Sequence, residues 1–285
     1  MEWIWLTGVS VIFRAVYGVM TKVLSNKLLV SPYTQATLLS FSGGIISLIL
    51  APLLGGLSLN FNGVSLITIL LVVLGQGLGN IVYFAAIKNL TNGTAQISFS
   101  SILIFNTFLS FIFLNLHLSF INIMGIVLLI LAVLCVVSGK IEFHKKGVSL
   151  MILSAFLFSV FQLASAKLSK EVGPSTYLVI AYFGAAAVVF LLNSKVVIKD
   201  LINSKKLKNT LGIPLLVALP SLGNFLFAYY AYRSAPQPAK VAMLLTSQVV
   251  ITVLLSYFFL NEKDHLPRKV GASILVVLSA VLIKS

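Results

Sequence analysis

Carboxylates are the scarcest functional groups in this 285-residue chain: six Asp and Glu stand against 20 Lys and Arg, and charged residues make up only 9% of it. A soluble domain carries roughly 25% charge, so a soluble fold is excluded. The single cysteine, Cys135, lies inside an apolar block. It excludes an intrachain disulfide and a thiolate metal cluster. The three histidines, His117, His144 and His265, all fall between apolar blocks. At depth in those blocks there is no nucleophile with a base, no carboxylate pair and no metal set, which argues against a membrane-embedded enzyme. No cofactor or metal is expected. Met1-Glu2-Trp3 lacks the basic stretch of a cleavable signal.

What the chain has in abundance is apolar length: 59% of residues are hydrophobic and the mean hydropathy is +1.08. A span needs about 20 apolar residues. Ten blocks approach that length, near Trp3 to Val23, Thr34 to Leu54, Ser65 to Ala86, Gly93 to Leu114, Phe120 to Val137, Val148 to Leu168, Ser175 to Leu192, Leu211 to Tyr232, Pro238 to Leu260 and Lys269 to Ile283. Short segments with Pro, Gly, Asn or Lys separate them. Helices are forced on the spans, because an open strand in lipid leaves backbone groups unpaired. The net charge of +14 does not form a stripe that would read nucleic acid. The cations sit between the blocks, where they suit lipid headgroups and topology signals.

Sliding the sequence by 146 positions lays Tyr83 to Gly125 on Tyr229 to Gly271 without a gap. Ala85 meets Ala231, Ser101 meets Ser247, Leu109-Ser110 meets Leu255-Ser256, and Phe113-Leu114-Asn115 meets Phe259-Leu260-Asn261. Earlier in each half the match is weaker: Lys22 and Lys167 end the first spans, and Pro32 and Pro174 follow. The pattern is an internal duplication, which in a membrane protein points to a transporter with a site between its halves. Residues 1–139 form the first repeat, 140–147 a polar linker and 148–285 the second.

Five plus five spans, Tyr83-Phe84-Ala85-Ala86 and Tyr229-Tyr230-Ala231 closing the third span of each half, and the closing Leu114-Asn115 and Leu260-Asn261-Glu262 together resemble the drug/metabolite transporter superfamily, in its ten-helix EamA-like family. The second copy, Phe259 to Lys263 followed by Gly271, is most similar to the family's acidic turn, whereas the first has Leu116 where the acid would sit. The resemblance implies an all-α integral membrane fold of ten transmembrane helices, as two inverted five-helix repeats around a central cavity. It also implies that spans one, three and four of each half line the cavity while the fifth and tenth pack outside. The implied function is export or exchange of a small metabolite such as an amino acid by alternating access.

All six acids (Glu2, Glu142, Glu171, Asp200, Glu262 and Asp264) lie at the terminus or between spans. A proton-coupled exporter of organic cations needs a carboxylate at depth, so that activity is disfavoured. What does lie at depth is Arg14, in the middle of the first span. An arginine there costs several kcal/mol unless it faces protein or water. It is read either as a cavity residue that clamps a carboxylate bidentately or as a structural cation satisfied by carbonyls. Gln76, Asn80 and Tyr83 in the third span and Asn224, Tyr229 and Tyr230 in the eighth are read either as amides and phenols facing each other across the pseudo-twofold axis to hydrogen-bond a polar substrate, or as glue between helices. Gly75, Gly77 and Gly79 are read as permitting close helix contact. In spans four and nine Ser101 and Ser247, matched across the repeat, and Gln248 are candidate wall residues; Gln96, Gln162 and Tyr182 are further polar positions.

The expected partners are a small-molecule metabolite and membrane lipids, with no nucleic acid; monomer and dimer both fit. A multi-pass protein of the cell (plasma or inner) membrane is expected. The alternative reading is a non-transporting membrane scaffold or lipid-handling protein. On sidedness, five Lys and Arg fall on the amino-terminal side and fourteen on the other, which puts both termini outside; the resembled family usually keeps both in the cytoplasm.

Overall fold

The computed structural model describes residues 2–28, 30–58, 64–114, 119–137, 145–203, 212–236, 238–263 and 265–284, and those residues form helices without a strand. In chain order they are α1 (Glu2–Lys27), α2 (Pro32–Leu50) with a 3₁₀ turn (Ala51–Leu54), α3 (Leu66–Ile87), α4 (Asn92–Phe99), α5 (Ile102–Leu114), α6 (Phe120–Val137) and α7 (Lys145–Glu171). Next come α8 (Pro174–Val179), a π turn (Ile180–Gly184), α9 (Ala185–Leu192), α10 (Ser194–Asn203), α11 (Gly212–Ser234), α12 (Pro238–Thr246), α13 (Gln248–Phe259) and α14 (Leu266–Lys284). Among the described residues seven helical stretches are long and apolar enough to cross a membrane: Glu2–Lys27, Pro32–Leu54, Leu66–Ile87, Lys145–Glu171, Pro174–Leu192, Gly212–Ser234 and Leu266–Ile283. The protein is an integral, multi-pass membrane protein.

Local chemistry sets the helix starts. Ser31 accepts from the Thr34 amide at 3.2 Å ahead of Pro32, and Thr91 accepts from the Thr94 amide at 3.4 Å. Both are side-chain caps on amides that have no intrahelical partner.

Packing is pairwise and crosses the midpoint of the chain. α1 lies along α11, α3 along α7, and α6 along α14. The first two pairs are one pairing with the halves exchanged. Close approach of α3 and α7 depends on a small-residue face: a Cβ on Gly75 would stand 3.0 Å from the Leu157 carbonyl oxygen, and one on Gly79 would stand 2.9 Å from the Phe158 ring. Ser154 closes the same seam by donating to the Gly79 carbonyl at 3.0 Å. Small residues of this kind let membrane helices approach where lipid offers no hydrophobic drive.

Three features differ from the sequence expectation. The fourth block, expected as one span from Gly93 to Leu114, is broken at Ser100-Ser101 into α4 and α5, and the ninth is broken at Ser247 into α12 and α13. At each break the backbone turns to i→i−3 bonds, Leu103 to Ser100 and Val250 to Ser247 among them, which tightens the turn without a proline. The stretch expected as a connection from Asn193 to Thr210 contains the amphipathic helix α10. Its Asp200 carboxylate accepts from the Ser31 amide at 2.9 Å and the Thr34 hydroxyl at 2.6 Å, tying α10 to the start of α2. The polar linker 140–147 lies outside the described residues up to 144, and its last three residues are the first turn of α7.

Candidate functional site

A cavity of about 70 Å³ lies between the halves, room for a handful of waters. Helical spacing places its walls. Arg14, Tyr17 and Gly18 share one face of α1; Gln76, Asn80 and Tyr83 one face of α3; Phe158, Phe161, Gln162 and Ser165 one face of α7. Ser221, Asn224, Phe225, Ala228 and Tyr232 do the same on α11, while Gln96 and Phe99 come from α4, Leu245 from α12 and Gln248 from the start of α13. Leu39, Tyr177 and Tyr182 also line it, and among the described residues none of α6 or α14 does.

Arg14 is the charge in this space. Its Cζ stands 5.9 Å from the centroid of the Phe99 ring, within cation–π range. Among the described residues no hydrogen bond or ion pair reaches it, and it is partly buried in the cavity lining. Three buried polar atoms in the same wall, Gln76 Oε1, Ser165 Oγ and Tyr232 Oη, also have no hydrogen-bond partner among the described residues. Buried donors and acceptors are ordinarily satisfied; Arg14 and these three atoms leave four open polar positions around one cavity. Among the described residues no group of His, Cys, Asp and Glu is placed to hold a metal.

The remaining polar groups are tied to each other. Gln248 Nε2 donates to Gln96 Oε1 at 3.1 Å, Gln96 Nε2 donates to Tyr83 Oη at 2.7 Å, and Tyr83 Oη lies 3.5 Å from Thr21 Oγ1. This relay floors the cavity on the side where α1 ends. Asn224 accepts from Ser10 Oγ through its carbonyl and its Oδ1, both at 2.9 Å, and Asn80 Nδ2 donates to Ser40 Oγ at 3.4 Å. Both asparagines therefore act as glue between helices while lining the cavity.

Of the residues singled out in the sequence, Arg14, Gln76, Asn80, Tyr83, Asn224 and Gln248, with the further polar positions Gln96, Gln162 and Tyr182, come together at the cavity. Ser101, Ser247, Tyr229 and Tyr230 do not line it. Ser101 and Ser247 stand at the two helix breaks, and Ser247 Oγ donates back to Leu244 at 2.6 Å. Tyr229 donates to the Val172 carbonyl at 2.8 Å and accepts from Arg233 at 3.1 Å, and Tyr230 is 36% exposed. These two tyrosines miss the cavity because its face on α11 runs Ser221, Asn224, Phe225, Ala228, Tyr232, a register to which neither belongs. Tyr17, Phe99, Phe158, Phe161, Tyr177, Phe225 and Tyr232 were not singled out. The sequence signal for Tyr17 is its i+3 spacing from Arg14.

Of the acids, Glu2, Glu171, Asp200 and Glu262 lie at helix ends, in a surface helix or between helices; Glu142 and Asp264, and with them His117 and His144, lie outside the described residues.

The model of the EamA-like transporter family matches residues 1–138 and 145–285. The chain belongs to the EamA-like transporter family. EamA-like membership makes it a membrane transporter of the drug/metabolite type. A solved crystal structure has a similar fold, with a TM-score of 0.66, 15% identity, and coverage of 98% of this chain and 97% of its own. No curated protein matches the chain.

Proposed function

We propose that this EamA-like protein is a ten-span secondary transporter, with inverted five-helix halves at 1–139 and 148–285. It moves a small polar or anionic metabolite, such as an amino acid, by alternating access as an exporter or exchanger in the cell membrane. The pairing of α1 with α11 and of α7 with α3 supports the two-fold relation of the halves. The observation that carries the reading is Arg14: a guanidinium at mid-span, facing the cavity, with no carboxylate beside it among the described residues. Leaving such a cation unmatched is costly in a bilayer. An incoming carboxylate relieves that cost through two parallel N–H···O bonds. Gln76 Oε1 and Tyr232 Oη then meet the donors and acceptors of the same solute, and the amides of Asn80, Asn224 and Gln248 fix its orientation. The aromatic walls hold its apolar part.

The test is uptake and counterflow by purified protein in liposomes, with labelled amino acids, organic acids and sugar phosphates. Saturable flux of a carboxylate or phosphate solute is expected. Arg14→Ala should lose it while eluting as folded protein, with apparent affinity weakened about 10- to 100-fold, as for loss of a charge-assisted hydrogen bond. Unchanged flux in Arg14→Ala would move the site away from Arg14. No flux for any solute class would overturn the transporter cycle itself.

A further inference from the structure

The cavity floor continues outward as a polar seam between α4, from the first half, and α13, from the second. Every residue of α4 is buried. One turn below the Gln96–Gln248 pair, Asn92 Nδ2 donates to Ser256 Oγ at 2.8 Å. At the outer end Glu262 caps α4: its Oε1 accepts from the Asn92 amide at 2.6 Å and its Oε2 from the Gly93 amide at 3.1 Å. Lys269, with a side chain 3% exposed, stands 3.7 Å from the same carboxylate. Lys22 pins the adjoining turn by donating to the Ile87 and Leu90 carbonyls, both at 2.7 Å. One half thus supplies the anion that satisfies the first amides of a helix in the other half.

The 146-residue repeat shows what stands at the equivalent positions on the opposite end. Asn92, Gly93 and Gln96 correspond to Pro238, Ala239 and Ala242; Gln248, Glu262 and Lys269 correspond to Ile102, Leu116 and Ile123. The acid and the cation are missing, and Pro238 has no N–H to be capped. Ser110 alone retains the residue type, for Ser256.

We infer that the α4–α13 seam is a one-sided gate: Glu262 of the second half latches α4 of the first, sealing the cavity at the end where α1 terminates, while the repeat-equivalent positions carry no such acid and cation. The inference rests on the alternating-access reading. It makes the transport cycle unequal, with this seam the slower of the two to open, and it assigns Glu262, Lys269 and Asn92 to gating, remote from the solute.

Two measurements test it. In a Cys135→Ser background, Thr252→Cys places a thiol on α13 between Gln248 and Ser256, below the cavity floor and fully buried in the sealed state. Adding Glu262→Ala should raise its labelling by a membrane-impermeant maleimide about tenfold or more, with Glu262→Gln in between. Unchanged labelling in folded Glu262→Ala protein overturns the latch. Separately, Asn92→Cys with Ser256→Cys should be bridged by a short bis-thiosulfonate linker, which arrests flux until reductant releases it. Failure to bridge overturns the sealed resting state, and flux through the bridged protein overturns the gate. Both outcomes differ from failure of the transporter reading, in which the reduced protein also moves no solute and the labelling result stands on its own.

Discussion

Gly75→Ala adds one methyl group where α3 crosses α7, and the geometry gives its cost. The new Cβ would stand 3.0 Å from the Leu157 oxygen, 3.0 Å from the Phe161 nitrogen and 3.1 Å from the Phe161 Cα. All three are backbone atoms that no rotamer change can move. Ordinary contacts are about 3.5–4.0 Å, so the two helices must part by roughly half an ångström. The Ser154–Gly79 hydrogen bond, 3.0 Å long, then stretches toward the limit of its useful range. Overpacking of this kind costs about 1–3 kcal/mol, and the weakened bond adds up to about 1. The better helix propensity of alanine returns about 1. The net is about 0–3 kcal/mol, or up to roughly 6 °C in Tm at this chain length. Gly8→Ala is the control, since nothing lies within 4 Å of its added Cβ; there the propensity term stands alone and stability is kept or raised by up to about 1 kcal/mol. Thermal unfolding in mild detergent, followed by loss of monodisperse elution, reads both. A Gly75→Ala protein that melts above the parent, as the propensity term alone would have it, would refute the close-approach account of the α3–α7 seam.

Tyr83→Phe removes the acceptor for Gln96 Nε2 and leaves a buried donor open, so stability should fall by about 1–3 kcal/mol and flux should drop; a melt equal to the parent's would show that the relay adds nothing. Asp200 supplies a pH dependence. Burial alone would raise its pKa, but hydrogen bonds from Thr34 and Ser31, and Lys88 nearby, outweigh it and hold the carboxyl below its ordinary value. A depressed folded-state pKa means that this stabilisation is present above about pH 4, the unfolded value, and is lost as pH falls through the folded one. Asp200→Ala should cost about 1 kcal/mol, as for loss of a helix cap, at pH 7, and should flatten that acid limb of the stability profile; an unaltered limb would assign it to another group.

The spans were legible because lipid allows few alternatives: an apolar block of sufficient length must be a helix, and α3, α6 and α11 fall close to where composition put them. The breaks at Ser100-Ser101 and Ser247 were not, because neither carries the proline or glycine that ordinarily announces one. The repeat did mark both serines, but equivalence alone does not tell a wall position from a pivot. Arg14 stood out because a cation at depth is anomalous in any fold. The aromatic lining was hidden for the opposite reason, since Phe and Tyr read alike whether they face lipid, core or solute. α10 escaped notice because its lysines resembled an ordinary charged connection. Nothing local to Glu262 marks it as the cap of a helix 170 residues earlier in the chain; that role exists only once the two halves are folded together.

The helix breaks also have a mechanical consequence. α4 is eight residues long, a rod of about 12 Å at 1.5 Å per residue, attached at one end to the turn at Ser100-Ser101. A tilt of about 15° about that turn carries its other tip roughly 3 Å, enough to take Asn92 and Gly93 out of hydrogen-bonding reach of Glu262. The attached end scarcely moves. Leverage of this kind releases the contacts at the tip together, so the outer half of the pathway can open while the deeper packing of α3 on α7 stays as it is.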